Sequence, residues 1–218
     1  MRTAVIAGAT GLVGGELVRM LLQEGTYSHV FALTRREFPL DHPKLRKVVS
    51  DMHQIPAALS GIAVDDVFCC LGTTMAKAGS KEKFYEIDFV FPLALAEATR
   101  ASGASQYMLV SALGANKDSS IYYNRVKGEV EQALRGVGFE TLHIFRPSLL
   151  LGARKERRPG ENAAKILFRI FGGIIPGKYK GVEARAVAKA MVGCALMQKK
   201  GVHIHESKEI QERWVHDA

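Results

Sequence analysis

The chain has 218 residues, enough to bury a substantial core in one domain without help from disulfides. Apolar residues make up 47% and charged residues 24% of it, as in ordinary globular proteins. A membrane span would need a run of about 18 apolar residues, and the sequence contains none. The net charge of +8 favours an anionic partner, but the dispersed basic residues and the lack of a helix-turn-helix or aromatic-basic pattern argue against nucleic acid.

Short apolar runs alternate with longer amphipathic segments along the first 150 residues. This alternation predicts an α/β fold, a doubly wound parallel sheet with helices on both faces. Strands are predicted at 3–7, 29–33, 47–49, 66–70, 107–110 and 141–145, and helices at 12–23, 54–59, 81–101 and 122–134. Pro92 is expected to kink or restart its helix, because proline has no amide hydrogen to donate.

The composition changes beyond Gly152, where a charged loop runs from Arg154 to Gly160. Helices are predicted at 163–171 and 184–197, and a last strand at 201–205. No linker is long enough to separate two domains. We therefore expect one domain over 1–218, in which residues from about 153 to 218 form a small lobe over the carboxyl edge of the sheet, where ligands of open α/β sheets bind.

A glycine motif, Gly8-Ala-Thr-Gly11-Leu-Val-Gly14, follows the first strand and opens the first helix. Glycine lets the backbone turn tightly and approach a pyrophosphate without a Cβ in the way. The amino terminus of the helix adds free N–H groups and partial positive charge. At this strand–helix junction the motif predicts a dinucleotide site.

The end of the second strand indicates which dinucleotide is bound. NAD sites usually carry an acidic residue there for the ribose 2′-hydroxyl. In this chain Arg35 and Arg36 stand at that place. Because a guanidinium pairs well with a 2′-phosphate, the sequence favours NADP(H), although a solvated surface pair is the alternative.

The sequence Tyr123-Asn-Arg-Val-Lys127 lies on a predicted helix, so the tyrosine and the lysine share one face. The lysine charge favours the phenolate, which makes the phenol usable as an acid and base near neutral pH. Ser111 ends the fifth predicted strand and can hydrogen-bond a substrate carbonyl. Together these residues form a candidate catalytic set.

The segments GATGLVG, TRR, CLGTT, VSALGA, YNRVKGEVE and FRPSLLLG resemble those of atypical short-chain dehydrogenase/reductases. The chain is similar to the small Tat-interacting-protein family of NADPH-binding oxidoreductase-like proteins, over roughly residues 3 to 160. The resemblance implies that Ser111, Tyr123 and Lys127 are catalytic. It implies that these three residues also contact the cofactor, together with Gly8, Thr10, Gly11, Leu12, Val13, Gly14, Arg35, Arg36, Asp51, Met52, Leu71, Gly72, Thr73, Pro147 and Ser148. Asp88 stands where many relatives carry asparagine, so a water relay through that asparagine is expected to differ here.

Two functions remain open on these residues. The first is an NADP(H)-dependent oxidoreductase that reduces a small carbonyl substrate, with Tyr123 as acid/base. The alternative is a non-catalytic NADPH-binding regulator or scaffold that acts through protein partners. A sugar-nucleotide epimerase-like use of the fold is a weaker third option. An aspartate-semialdehyde-dehydrogenase-like enzyme is rejected, because the chain has no room for its second domain with a nucleophilic cysteine.

Several further features carry weaker expectations. The three cysteines show no CxxC spacing and cannot all pair, which indicates a reducing compartment. With too short an apolar amino-terminal stretch for a signal peptide, this predicts a cytoplasmic protein with no membrane partner. His203 and His205 share one strand face, but no third ligand lies nearby in sequence, so no metal site is predicted. Ile210 and Trp214 are expected either to pack on the core or to form a subunit contact, and the resemblance is compatible with a homodimer.

Overall fold

The computed structural model describes residues 1–152 and 181–214, so the predicted helix at 163–171 and the charged loop after Gly152 lie outside the described residues. Within that part, seven parallel strands form one sheet in the order β3-β2-β1-β4-β5-β6-β9. The strands are β1 Arg2–Ala7, β2 Tyr27–Thr34, β3 Leu45–Val49, β4 Asp66–Cys69, β5 Gln106–Val110, β6 Thr141–Arg146 and β9 Gly201–Glu206. Two short strands, β7 Leu150–Leu151 and β8 Val182–Glu183, pair separately. The predicted doubly wound parallel sheet is confirmed, with its strand order reversing between β1 and β4.

Helices cover both faces of this sheet. Their bounds are α1 Leu12–Gln23, α2 Ile55–Ala58, α3 Met75–Ala78, α4 Lys81–Tyr85, α5 Phe91–Ala101, α6 Tyr122–Gly136, α7 Ala184–Met197 and α8 Ser207–Trp214. Side chains alternate along β1, so that Ala4 and Ile6 join the core beneath α1 and α7, whereas Val5 and Ala7 join the core beneath α2, α5 and α6. The fully buried parallel strands are therefore apolar on both faces, as the unbroken apolar runs predicted.

The helix predicted at 81–101 is interrupted before Pro92. Residues Glu86–Val90 form a π-helical turn between α4 and α5. In a regular α-helix the proline ring would clash with the carbonyl of Asp88, and the wider turn avoids that clash. The turn leaves Asp88 only 1% exposed, which places a carboxylate inside the molecule.

The carboxyl-terminal residues are built into the main sheet. β9 pairs in parallel with β6, and α7 packs against α1 on the face opposite α6. Within the predicted lobe, β9 therefore extends the sheet and α7 covers one face of it, while β8 pairs with β7 beyond the end of β6. Ile210 is 1% exposed, and a Cβ on Gly193 would lie 2.0 Å from the ring of Trp214, so both residues pack back on the core.

Candidate active site

The glycine motif forms a tight turn between β1 and α1. Gly8 has φ +88°, and a Cβ there would lie 2.5 Å from the carbonyl oxygen of Cys70. A Cβ on Gly14 would lie 2.1 Å from the carbonyl oxygen of Gly8. The amide of Gly11 donates to that same carbonyl at 2.9 Å, and no side chain caps α1. The first amides of α1 therefore lack a side-chain acceptor at the carboxyl edge of the sheet, which suits an anionic ligand.

The remaining motif residues differ in what they offer. Thr10 is exposed and Leu12 half-buried, whereas Val13 is 4% exposed and belongs to the core under α1. Val13 can therefore contribute its backbone to a ligand, but not its side chain. Met52 is also 4% exposed and packs in the opposite core. Asp51 is exposed, and its carboxylate accepts from the amide of His53 at 3.1 Å.

Arg35 and Arg36 follow β2 directly and are exposed. Neither guanidinium has a hydrogen bond or ion pair to any residue in 1–152 or 181–214. Both are available to an anionic group beside the glycine turn, because β1 and β2 are adjacent parallel strands.

A buried ion pair lies beside the turn that follows β4. Lys127 Nζ lies 2.7 Å from Asp88 Oδ1, and these side chains are 5% and 0% exposed. The other carboxylate oxygen accepts from the amide of Thr73 at 2.9 Å, and a Cβ on Gly72 would lie 3.3 Å from Oδ1. Burial lowers the pKa of Lys127, but the charge of the Asp88 carboxylate and its contact with the lysine contribute in the opposite direction, and the net pKa is raised. The lysine is therefore a permanent cation at neutral pH, next to the predicted Leu71 to Thr73 turn.

Tyr123 lies one helical turn before Lys127 on α6, as the spacing predicted. Its ring is half-buried and packs against Phe84, with ring centroids 5.4 Å apart. Its hydroxyl has no hydrogen bond to a described residue. The neighbouring Tyr122 differs, since its hydroxyl donates to the carbonyl of Lys81 at 3.0 Å.

Ser111 follows β5, but its hydroxyl is occupied by a residue that the sequence interpretation missed. It donates to Glu131 Oε1 at 2.5 Å, and Glu131 is 3% exposed. Arg146 binds both oxygens of the same carboxylate, at 3.0 Å and 2.6 Å. Glu131 lies four residues after Lys127, so the helical stripe of Tyr123 and Lys127 was the signal that could have found it.

The last predicted contacts follow β6 and β4. Pro147 is buried, and its carbonyl accepts from the amide of Leu113 at 2.9 Å. The hydroxyl of Ser148 accepts from Ser207 at 2.9 Å. Leu71 is half-buried and packs on the core beneath α6. The structure thus places the predicted residues at the carboxyl ends of neighbouring strands, with Tyr123 beside Lys127 and Ser111 turned to Glu131.

Residues 8–155 match the NAD(P)H-binding family. A protein named HTATIP2 from Rattus norvegicus is 33% identical to this chain over 217 residues, covering 96% of the chain and 88% of that protein. This chain is an atypical short-chain dehydrogenase/reductase of the HTATIP2 family. The resemblance expected from the motifs is confirmed, and so is a nicotinamide-binding fold.

A second relative of this HTATIP2-family chain corrects one expectation. A protein named fmp52-1, mitochondrial, from Aspergillus terreus is 35% identical over 209 residues, covering 92% of the chain and 90% of that protein. Similar proteins from Aspergillus clavatus and Eremothecium gossypii are also named mitochondrial. The predicted cytoplasmic location is wrong on this finding, because free cysteines do not distinguish the cytoplasm from other reducing compartments.

Solved structures share the fold of this HTATIP2-family chain. WbmH of Bordetella bronchiseptica, in complex with NAD+, superposes with a TM-score of 0.71 at 18% identity, covering 95% of this chain and 76% of that one. MoeE5, in complex with UDP-glucose and NAD, gives a TM-score of 0.69 at 17% identity, covering 93% and 74%. At such identities the likeness concerns the fold alone. Among the described residues, no helix is both long and apolar enough to cross a bilayer.

Proposed function

We propose that this chain is an NADP(H)-dependent oxidoreductase that reduces a small carbonyl substrate, with Tyr123 as the acid/base. One observation carries the proposal. The hydroxyl of Tyr123 has no partner among the described residues, and a buried lysine cation, Lys127, lies one helical turn away. Both lie on α6 at the carboxyl side of the sheet, where the glycine turn opens.

The residues of the cofactor site fit a dinucleotide with a 2′-phosphate. The glycine turn brings the amino terminus of α1 to the sheet edge, with amides for the pyrophosphate. The guanidinium groups of Arg35 and Arg36, which have no partner among residues 1–152 and 181–214, would hold the 2′-phosphate by charge-assisted hydrogen bonds. When bound, the nicotinamide supplies the hydride for the reduction.

Side chains of the protein would supply the proton that the reduced carbonyl oxygen takes up. Tyr123 would donate its hydroxyl proton to the carbonyl oxygen, and the positive charge of Lys127 would stabilise the phenolate that remains. Asp88 holds Lys127 in position through the 2.7 Å ion pair. Ser111 would orient the carbonyl oxygen once its hydroxyl turns from Glu131, while Arg146 keeps the carboxylate paired.

One observation favours the alternative of an NADPH-binding regulator. Two members of the predicted catalytic set already have strong internal partners, since Ser111 is bonded to Glu131 and Lys127 to Asp88. Such a site can bind a dinucleotide without catalysing the conversion of a substrate. The regulator would bind NADPH as tightly as the enzyme but would not depend on the hydroxyl of Tyr123.

The experiment separates cofactor choice from catalysis. NADPH and NADH are titrated by fluorescence into wild type, Arg35→Ala and Arg46→Ala. Arg46 on β3 serves as the control, because it is exposed and, among the described residues, its side chain donates only to the backbone carbonyls of Pro43 and Leu45. Loss of a charge-assisted phosphate contact typically costs about 1.5–3 kcal/mol, so Arg35→Ala should weaken NADPH about 10- to 100-fold and leave NADH unchanged. Equal binding of both nucleotides to wild type would exclude the NADP(H) assignment.

Catalysis is tested by a carbonyl-substrate screen that follows NADPH oxidation. Tyr123→Phe should lower kcat at least about 100-fold with NADPH affinity unchanged, whereas Tyr122→Phe should retain activity because that hydroxyl bonds to a backbone carbonyl. If Tyr123→Phe keeps full activity, or if wild type binds NADPH but reduces no carbonyl, the result favours the hypothesis of a non-catalytic NADPH-binding regulator.

A further inference from the structure

Donor atoms from three separate elements converge beneath α7, on the face of the sheet opposite α6. Nδ1 of His143 on β6 lies 3.0 Å from Nε2 of His205 on β9. Sγ of Cys194 on α7 lies 3.7 Å from the same Nε2. The three donors all lie within 4.8 Å of one another. Two imidazoles and one thiol thus face a common point.

The spacing is that of a small metal site. Zinc binds imidazole nitrogen at about 2.0–2.1 Å and thiolate sulfur at about 2.3 Å, so tetrahedral donors stand about 3.3 Å (N to N) and about 3.6 Å (N to S) apart. The distances of 3.0 Å and 3.7 Å from His205 lie close to these values. The three donors lie within 4.8 Å of one another, so small side-chain adjustments bring them to zinc-binding distances.

A carboxylate behind His205 supplies a second, independent observation. Oε1 of Glu209 on α8 lies 3.2 Å from Nδ1 of His205. Such a contact directs the Nδ1 proton to the carboxylate and leaves the lone pair of Nε2 pointing at the other donors. Histidines that bind metal ions characteristically have this support on the second ring nitrogen.

The second ring nitrogen of His143 can take up a proton. His143 is 3% exposed, and its Nε2 has no hydrogen-bond partner among the described residues. If His205 is held as an acceptor by Glu209, His143 donates from Nδ1 in the metal-free chain, and its Nε2 carries no proton. Nε2 can therefore take the proton when Nδ1 binds an ion.

We propose that His143, Cys194 and His205 bind one zinc ion, with the fourth position left to water. On binding, the thiol of Cys194 gives up its proton to solvent and the thiolate–zinc bond forms, while the Nδ1 proton of His143 is replaced by zinc and the ring is reprotonated on Nε2, so the net release is one proton. The ion can enter beside Glu209, whose side chain is 42% exposed. Zinc would tie the last strand of the sheet to β6 and α7.

The sequence interpretation found no third ligand near His203 and His205, because the donors that surround His205 are distant in sequence. They come from β6, which pairs with β9, and from α7. The ring of His203 stacks on that of His143, with centroids 5.0 Å apart, but its Nε2 lies 3.0 Å from the carbonyl oxygens of Lys199 and Lys200.

Cobalt and zinc titrations of the metal-free full chain test the proposal, with the thiols kept reduced by a phosphine. We expect one cobalt per chain, tetrahedral ligand-field bands and a sulfur-to-cobalt charge-transfer band, all abolished by added zinc. Cys194→Ser should remove the charge-transfer band. Cys70→Ser, which removes a half-buried thiol elsewhere, should leave it unchanged.

Glu209→Gln provides a variant that does not disturb the core. It should lower zinc affinity about 10- to 100-fold while the charge-transfer band persists at saturating cobalt. Thermal unfolding of metal-free Cys194→Ser checks that the isosteric variant still folds. The proposal is overturned if wild type gives no charge-transfer band, if the band survives in Cys194→Ser, or if Glu209→Gln binds zinc as wild type does.

Discussion

The buried pair of Lys127 and Asp88 allows a quantitative test of the site. At 2.7 Å and an effective dielectric of about 20, the attraction is about 6 kcal/mol, part of which is offset by the lost hydration of both ions. Asp88→Asn keeps the shape and can still accept from the amide of Thr73, but it leaves the lysine charge buried without a counter-ion. We expect the free energy of unfolding at pH 7 to fall by about 3–5 kcal/mol.

A double-mutant cycle in urea isolates the interaction of the pair. Lys127→Met should be similarly destabilising, and the double variant should cost less than the sum by about 2–3 kcal/mol. Lys117→Met and Asp118→Asn form the control cycle, because that pair is 56% and 74% exposed and should couple by less than about 1 kcal/mol. If the buried pair couples no more strongly than the exposed one, Asp88 does not position Lys127 and the reasoning fails.

Two further predictions concern stability. Gly14→Ala places a Cβ 2.1 Å from the carbonyl oxygen of Gly8, so it should lower the free energy of unfolding in urea by about 1–3 kcal/mol and weaken NADPH binding. Gly15→Ala is the control and should do neither, because its Cβ would lie 3.7 Å from the nearest atom. Equal effects of the two substitutions would refute the close approach at Gly14. Burial raises the pKa of Asp66 from 3.8 to about 6, so the folded state binds the carboxyl proton more tightly than the unfolded state does. Protonated Asp66 therefore adds about 3 kcal/mol to the free energy of unfolding below pH ~4, and this stabilisation is lost as the pH rises through 6. Asp66→Asn should flatten the curve of unfolding free energy against pH between about pH 4 and 6, and the exposed control Asp118→Asn should not. An unchanged slope in Asp66→Asn would contradict the raised pKa of Asp66.

Much of the fold was predictable from local patterns. The helices at 12–23 and 184–197 were predicted to the residue, because an amphipathic period depends only on neighbours along the chain. The glycine turn was equally clear, since Gly8 requires positive φ and Gly14 a close approach. The interruption before Pro92 was expected, but its π-helical form, which buries Asp88, was not.

The sequence named candidate site residues but not the contacts that they make. Tyr123 and Lys127 share a helix face by their spacing alone. That Ser111 bonds to Glu131, and that Arg146 shares the carboxylate, depends on how α6 lies against β5 and β6. Hydrogen-bond partners of this kind are decided by packing between elements, which short-range periodicity does not encode.

The sequence by itself determined the alternating α/β order, the glycine turn at the end of β1 and the shared face of Tyr123 and Lys127, because each depends on residues within a few positions of one another. Only the tertiary structure decided that residues 201–206 form the seventh strand and that His143 meets His205, 62 residues away. That meeting follows from the register of β6 with β9, which the packing of α7 against the sheet stabilises. Contacts over such separations depend on which strand pairs with which, and that choice is made by the whole core.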